Sequence, residues 1–424
     1  MKPLIFFLFF ISTIFGKEEI SALYLSWYDD PTTTMTIQWL TPLEDQTTDI
    51  LLETSDGWIS FSGTHHAISL YQTLVHTLSL TRLTPDTEYR FQLKNETYSF
   101  RTLPSTLERP VRFIVGGDAF QSAKRFSRMN RTAISQDPDF VVIGGDIAYA
   151  IHNSPFELRS SPFRRWISFL THWKEQMTTS SGRLIPLLLV AGNHDIAPDD
   201  YELFFSLFAF PQKQLYRSVD FGSYLSLILL DTGHFQPIEG RQTIWLKKTL
   251  ETKNSIPYRF AVYHEGAYPT WYPYLGTTPK KIRAHWCPLF DKYNLPIAFE
   301  NHNHAFKRTF PIKANKIDES GTIYLGDGAW GVPPRKTFDH WYLEKKAKKN
   351  CIWLVELREE QASFKALDLV GNLLDEIVLE TGTVIDPSKK DLTTSAQKYL
   401  DSSIQKTSLP EFYNFSMQTL IKKI

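Results

Sequence analysis

Between residues 20 and 104 the chain alternates apolar and polar side chains with a period of two. Met35, Ile37 and Trp39 interleave with Thr34, Thr36 and Gln38, as in a strand with one face on a core and the other towards water. Phe91 and Leu93 repeat the alternation. After Ser105 the texture changes to short continuous apolar runs separated by stretches of helical spacing. Residues 112–116, 140–143, 185–191, 259–263 and 296–299 are read as strands. Residues 121–136, 156–177, 201–208, 241–252 and 280–293 are read as helices, and 218–231 as a hairpin or one long strand. Such alternation predicts an α/β domain built on a mixed sheet. Beyond residue 385 the chain is polar. Ala396, Tyr399, Leu400 and Ile404 keep helical spacing, so the C-terminal extension 386–424 is read as a helix without a legible role.

One corner in the first segment is specific. The run Leu83-Thr84-Pro85-Asp86-Thr87-Glu88-Tyr89 leads a Pro-containing turn into a Tyr at a strand start. A phenol placed there bonds back to the upstream backbone. Residues 17–105 therefore resemble a fibronectin type III sandwich, with residues 106–385 as a second unit. No ligand-spaced cluster of His, Asp or Cys lies in the sandwich, and His65 and His66 are read into a polar turn.

Composition narrows the classes. A chain of 424 residues exceeds one ordinary domain, and 42% hydrophobic against 22% charged residues suffices for two cores. Lys plus Arg and Asp plus Glu number 46 each, so no global surplus of positive charge favours nucleic acid or an anionic membrane. A small ligand fits better. Lys2, the apolar run 4–15, Gly16 and the polar Lys17-Glu18-Glu19 read as a secretory signal peptide over residues 1–16. An uncleaved anchor is the alternative. Cleavage leaves no membrane span and puts the chain outside the cytoplasm, secreted or periplasmic. Cys287 and Cys351 are the only cysteines, and either a disulfide or two buried thiols is compatible with them.

Chemistry-bearing residues recur where the apolar runs of the second unit end. The first ends in Gly116-Gly117-Asp118, the second in Gly144-Gly145-Asp146 with Tyr149 close behind, and the third in Gly192-Asn193-His194-Asp195. A later run reaches His264, and the next reaches His302-Asn303-His304. Carboxyl ends of strands in such sheets open into one crevice, so the clusters can converge there. Each alone is weak: Gly-Asp is commonly a turn. Together they offer carboxylate and amide oxygens for hard cations and imidazoles for iron, zinc or manganese. A pair of ions ~3.5–4 Å apart with one bridging carboxylate would use such a set.

The order Gly-Asp, Gly-Asp-x-x-Tyr, Gly-Asn-His-Asp, His, His-x-His is similar to that of calcineurin-like metallophosphoesterases. Tyr149, three residues after Asp146, narrows the resemblance to the purple acid phosphatases, which often carry a fibronectin-like N-terminal domain. The resemblance implies an α/β metallophosphoesterase sandwich that hydrolyses phosphate monoesters with a metal-bound hydroxide. It implies Fe(III) on Asp118, Asp146, Tyr149 and His304, and Fe(II), Zn or Mn on Asp146, Asn193, His264 and His302. His194 would contact the phosphate or protonate the leaving oxygen, or else only brace its loop; Asp195 would orient it. Asn193, His194 and His152 are the candidates for substrate contact, although a surface role also suits His152.

Three positions depart from the family pattern: Asn301 before His302, Phe120 after Ala119, and Ala261 before His264. The stretch 265–278 lacks the extra histidines of some members. It is rich in Tyr, Trp and Pro, as a substrate-facing wall or a packed loop would be. His234 and His285 are read as ordinary satisfied histidines, and Gly326-Asp327-Gly328 as a structural turn. A phosphodiesterase acting on nucleotides or lipid head groups would use the same site, and a non-hydrolytic metal-binding protein of the same fold is a further alternative.

Overall fold

The computed structural model describes residues 20–151, 161–196, 201–208, 210, 213–380 and the backbone of 383–385. The expected leader 1–16, His152 and the extension 386–424 lie outside the described residues.

Period-two alternation produces a sandwich of two four-stranded antiparallel sheets. One sheet has the order β1 (Ala22–Ser26), β2 (Met35–Pro42), β6 (Thr73–Leu80), β5 (Thr64–Ile68); the other has β4 (Gly57–Ser62), β3 (Asp49–Thr54), β7 (Glu88–Leu93), β8 (Glu96–Arg101). The corner forms as expected: the Thr84 N–H donates to Tyr89 Oη at 2.8 Å. His65 and His66 lie on the exposed strand β5 and not in a turn. The polar face of β2 also differs from expectation, because Thr36 and Gln38 are buried along with Ile37 and Trp39. The reason is tertiary. This sheet docks on the second unit, with Tyr24 Oη donating to the Leu207 carbonyl and Ala22, Tyr24, Leu40 and Val75 joining that unit's helical core.

In the second unit, two seven-stranded mixed sheets pack face to face. The first has the order β11 (Leu187–Val190), β10 (Phe140–Gly144), β9 (Val111–Gly116), β21 (Ile352–Leu357), β22 (Gln361–Leu367), β23 (Leu373–Glu380), β24 (Thr383–Ile385). The second has β12 (Arg217–Phe221), β13 (Leu225–Leu229), β14 (Tyr258–Glu265), β15 (Ile297–Asn301), β19 (Ile323–Gly326), β16 (Phe306–Thr309), β20 (Leu343–Ala347). A short ribbon, β17 (Ile312–Lys313) and β18 (Lys316–Ile317), lies beside them. Between the sheets Phe140 stacks on Phe113 at 4.8 Å and on Phe221 at 4.7 Å, and Trp27 of the sandwich meets Phe140 and Phe221 edge-on. Each fully buried ring of this kind stabilises the fold by roughly 1.5–3 kcal/mol.

Helices cover the outer faces: α1 (Ala123–Ile134), α2 (Pro162–Gln176), α3 (Glu202–Leu207), α4 (Arg241–Thr252), α5 (Thr277–His285) and α6 (Cys287–Lys292). The Ser122 and Ser161 hydroxyls cap α1 and α2 by accepting from the N–H of Arg125 and Arg164. The single helix expected over 280–293 is two. Pro288 has no N–H to continue the ladder, so α5 stops at His285 and Pro288 sits in the first turn of α6. Both cysteines are free and buried.

This topology positions the site. Strands β9, β10 and β11 run parallel, as do β13, β14, β15 and β19. Their carboxyl ends therefore open on the same edge of the two sheets, where the polar clusters stand.

Candidate metal centre

The loops after β9 and β10 run on side by side past the strand ends. The N–H groups of Asp118, Ala119 and Phe120 donate to the carbonyls of Gly145, Asp146 and Ile147, each at 2.9 Å. Asp118, Asp146, Tyr149, His302 and His304 all have left-handed backbones, with φ of 56°, 51°, 51°, 76° and 59°. Such conformations are costly for bulky side chains, and their clustering on one rim marks strain held at a working site. His264 lies within β14, where the register with β15 slips between Val262 and Glu265; bulges of this kind re-aim a side chain.

Two groups of electron-pair donors result. In the first, Tyr149 Oη lies 3.1 Å from both Asp118 Oδ1 and His304 Nε2, and His304 Nε2 lies 2.9 Å from Asp118 Oδ1. In the second, His264 Nε2 lies 3.1 Å from Asn193 Oδ1, 3.1 Å from His302 Nδ1 and 3.3 Å from Asp146 Oδ1. Asp118 Oδ2 accepts the His302 N–H at 2.8 Å and so connects the two loops. Gly328 (φ 61°) is cradled there, since a Cβ at that position would run into Asp118 Oδ2. The donor set fits metal ions. Asp146 is 1% exposed, yet its Oδ2 has no hydrogen-bond donor. A buried carboxylate oxygen without a partner is costly unless a cation meets it.

The imidazole tautomers follow from their backbone partners. His264 Nδ1 lies 3.0 Å from the Gly144 carbonyl, and His194 Nδ1 lies 2.9 Å from the Ile151 carbonyl. A carbonyl only accepts, so each Nδ1 carries a proton and each Nε2 is directed elsewhere. Burial alone would raise the pKa of Asp146, but the charge and hydrogen bond of His264, with His194 and His302 behind, hold it below the usual carboxylate range. Burial opposes protonation of His264, yet Asp146 overcomes that and raises it to about 10. Burial and the neighbouring His264 push His302 well below the ordinary histidine value. For Tyr149, burial and then the Asp118 and Asp146 charges push the phenol up.

Asp195 differs from expectation. Its carboxylate accepts from the N–H groups of Ile147 (2.8 Å) and Gly192 (2.9 Å) and makes no bond to the His194 ring. It ties the second loop to the third and thereby braces the backbone beneath His194. The His194 ring stacks on Tyr149 at 4.7 Å instead. Asn301 is accommodated because it leans over Gly144, where any Cβ would collide with its amide, while its Nδ2 donates to the Tyr263 carbonyl.

The stretch 265–278 is a wall with a buried foundation. Tyr272 stacks on His302 at 4.6 Å, and Trp271 is 38% exposed. Asn303, the middle residue of His-x-His, accepts the N–H groups of Trp271 and Tyr272 at 2.9 and 3.0 Å. His234 also reaches the site, its ring 5.6 Å from that of His264. Asp231 holds it there by accepting the N–H groups of residues 233–236. From the chain alone His234 reads as an ordinary satisfied histidine, and nothing in its neighbours places it beside His264.

Comparisons with known proteins agree with this fold. Residues 111–318 match the family model for calcineurin-like phosphoesterases, and residues 20–102 match that for the purple acid phosphatase N-terminal domain. Purple acid phosphatase 13 of Arabidopsis thaliana is 26% identical over 62% of this chain and 55% of its own length. An uncharacterised Mycobacterium tuberculosis protein is 25% identical over 70% of this chain and 64% of its own length. The chain thus spans little more than half of the plant relative. A purple acid phosphatase from yellow lupin (Lupinus luteus) seeds superposes with a TM-score of 0.69 at 15% identity, covering 84% of this chain and 74% of that one. PhoD superposes at 0.65 and 11% identity, covering 91% and 98%. At these identities the superpositions speak for the fold. The chain thus carries a calcineurin-like phosphoesterase domain preceded by an all-β domain of the purple acid phosphatase N-terminal type.

Proposed function

We propose that the chain hydrolyses phosphate monoesters at a dinuclear centre. Asp118, Asp146, Tyr149 and His304 would hold ferric iron, and Asp146, Asn193, His264 and His302 a divalent iron, zinc or manganese ion. The observation that carries this reading is the convergence of seven donor side chains on two adjoining points, with Asp146 Oδ2 buried, without a hydrogen-bond donor, and 3.9 Å from His194 Nε2. Two cations bound there would acidify a coordinated water and offset the charge of the phosphoryl oxygens.

The chain's own side chains supply the rest. Ile151 fixes the His194 tautomer with Nδ1 protonated, so Nε2 is the nitrogen left to face the ester or its leaving oxygen. Stacking on Tyr149 fixes the plane of that ring. Gly144 orients His264 in the same manner. Asp195 and Asp118 hold three loops together through backbone N–H groups, which keeps the donors in place before substrate arrives.

Asp146→Ala tests the assignment, by metal stoichiometry and phosphate-ester turnover on one preparation. Both are expected to vanish together; full activity with one metal lost would sink the bridging role. Tyr149→Phe is expected to abolish visible absorption from the iron–phenolate bond. Comparing a monoester with a diester decides the preferred bond. Among the described residues no helix is long and apolar enough to cross a membrane. Export through a leader at residues 1–16, with units at 17–105 and 106–385, belongs to the same proposal; N-terminal sequencing of secreted protein checks the cut after Gly16.

A further inference from the structure

We propose that the cleft between the sandwich and α3 is a binding site for a neutral sugar residue. It shares no residue with the metal centre. The inference therefore stands whether or not that centre hydrolyses phosphate esters.

The docking face of the first sheet changes character along its strands. Ala22 pairs with Leu40 and Leu40 with Val75, and all three join the helical core of the second unit. Side chains two apart on a strand share a face. One step along, that same face carries Gln38, Thr77 and Thr64 side by side on β2, β6 and β5. A further step brings Thr36 beside Ser79. The apolar half of the face packs on the second unit, whereas the hydroxyl-rich half floors a cleft of 420 Å³. Its wall includes Tyr28 of the sandwich and Phe205 and Ser206 of α3. Sites for small molecules usually measure ~300–1,000 Å³.

The lining selects the ligand class. None of the described residues lining the cleft is Asp, Glu, Lys or Arg, so an ionic ligand would meet no counter-charge there. Neutral donors and acceptors are what the floor offers. Gln38 is 2% exposed, yet its Oε1 has no hydrogen-bond donor. Its Nε2 is shared between Thr77 Oγ1 and the Leu207 carbonyl, each at 3.4 Å. Thr77 Oγ1 accepts in that bond, which leaves its own hydrogen to donate. His66 Nε2 lies 2.9 Å from the Ser206 carbonyl; a carbonyl only accepts, so Nε2 carries the proton and Nδ1 is left as an acceptor. Among the described residues the Thr64 and Ser79 hydroxyls have no partner. A sugar fits this array because each of its hydroxyls both donates and accepts. One of them supplies the donor that Gln38 Oε1 lacks. The C–H face of the sugar ring needs an aromatic surface, and Tyr28, 38% exposed, provides it at the wall.

Isothermal titration of the full chain with cellotetraose, maltotetraose and N,N′-diacetylchitobiose tests the site. At least one of the three is expected to bind with a Kd between about 10 μM and 1 mM. Thr77→Val keeps the side-chain shape and removes the hydroxyl, and is expected to weaken that binding about 3- to 10-fold. Tyr28→Ala is expected to weaken it by a similar factor of about 3 to 10 through loss of the aromatic face. Neither residue is in the core, so both variants should melt close to wild type, and Ser79→Ala on the exposed rung serves if either does not. Asp146→Ala should bind the sugar as wild type does. Failure of all three oligosaccharides to bind, or equal affinity in wild type and the cleft variants, overturns the proposal. Binding that is lost in Asp146→Ala and kept in Thr77→Val would put the sugar at the metal centre and refute it equally.

Discussion

The wall and the His-x-His loop share one buried ionic network, and Lys307→Met tests it. Lys307 and Glu300 are both fully buried. Lys307 Nζ donates to Glu300 Oε2 at 2.5 Å and to the Tyr268 carbonyl at 2.7 Å, and it lies 3.6 Å from Asp327 Oδ2. Glu300 Oε1 accepts from Tyr263 Oη and the Ala267 N–H, while Asp327 Oδ2 accepts from Thr270 Oγ1. Methionine fills the volume but removes the charge, which leaves two carboxyl groups in the interior without their cation. Breaking a buried pair from one side costs about 3–5 kcal/mol. A stranded carboxyl group escapes by taking up a proton, which costs ~1.4 kcal/mol per pH unit above the ordinary carboxylate range. At pH 7 that route caps the loss for one group near 4 kcal/mol, and at pH 5 near 1 kcal/mol. Asp327 already needs less, since burial has raised it to about 6. Urea denaturation of Lys307→Met is therefore expected to show a loss of roughly 3–4 kcal/mol at pH 7 that shrinks towards pH 5. A loss under about 1 kcal/mol at pH 7, or one that does not change with pH, would refute the reasoning.

Three further outcomes are expected. Gly144→Ala drives a Cβ into the Asn301 amide and should cost about 1–3 kcal/mol in chemical denaturation; Asn301→Gly in the same chain should restore most of it, and absence of coupling would contradict the packing. His76 is buried against Trp39 at 4.9 Å, and burial lowers it to about 4. Its folded value lies below its unfolded value, so its stabilisation is present above pH 6.5 and lost as the pH falls towards 4. His76→Gln should flatten that part of the melting profile; an unchanged profile would exclude His76 as the cause. Chelation of the metals should lower the melting temperature of wild type but not of Asp146→Ala, because bound ions stabilise only the state that holds them.

Much of this protein could be read from the chain alone. Alternation at Met35, Ile37 and Trp39 marked the sandwich, and the Pro85–Tyr89 corner formed as its spacing required. The candidate donors Asp118, Asp146, Tyr149, Asn193, His264, His302 and His304 were legible because each follows an apolar strand or, for His264, stands at its end, and parallel strands bring their carboxyl ends to one edge. Local rules of this kind depend on neighbours in sequence, so they survive without a structure. Other features did not. The antiparallel return of β21 to β9 across more than two hundred residues was not anticipated, nor was the burial of Thr36 and Gln38 under the second unit. The role of Asp195 as a backbone brace was decided by which N–H groups the fold brought within reach. His234, Asn303 and Tyr272 carry no local signal, because each acquires its place from a partner in a different loop. Pairing between distant segments is set by packing and hydrogen bonding in three dimensions, and only the tertiary structure records it.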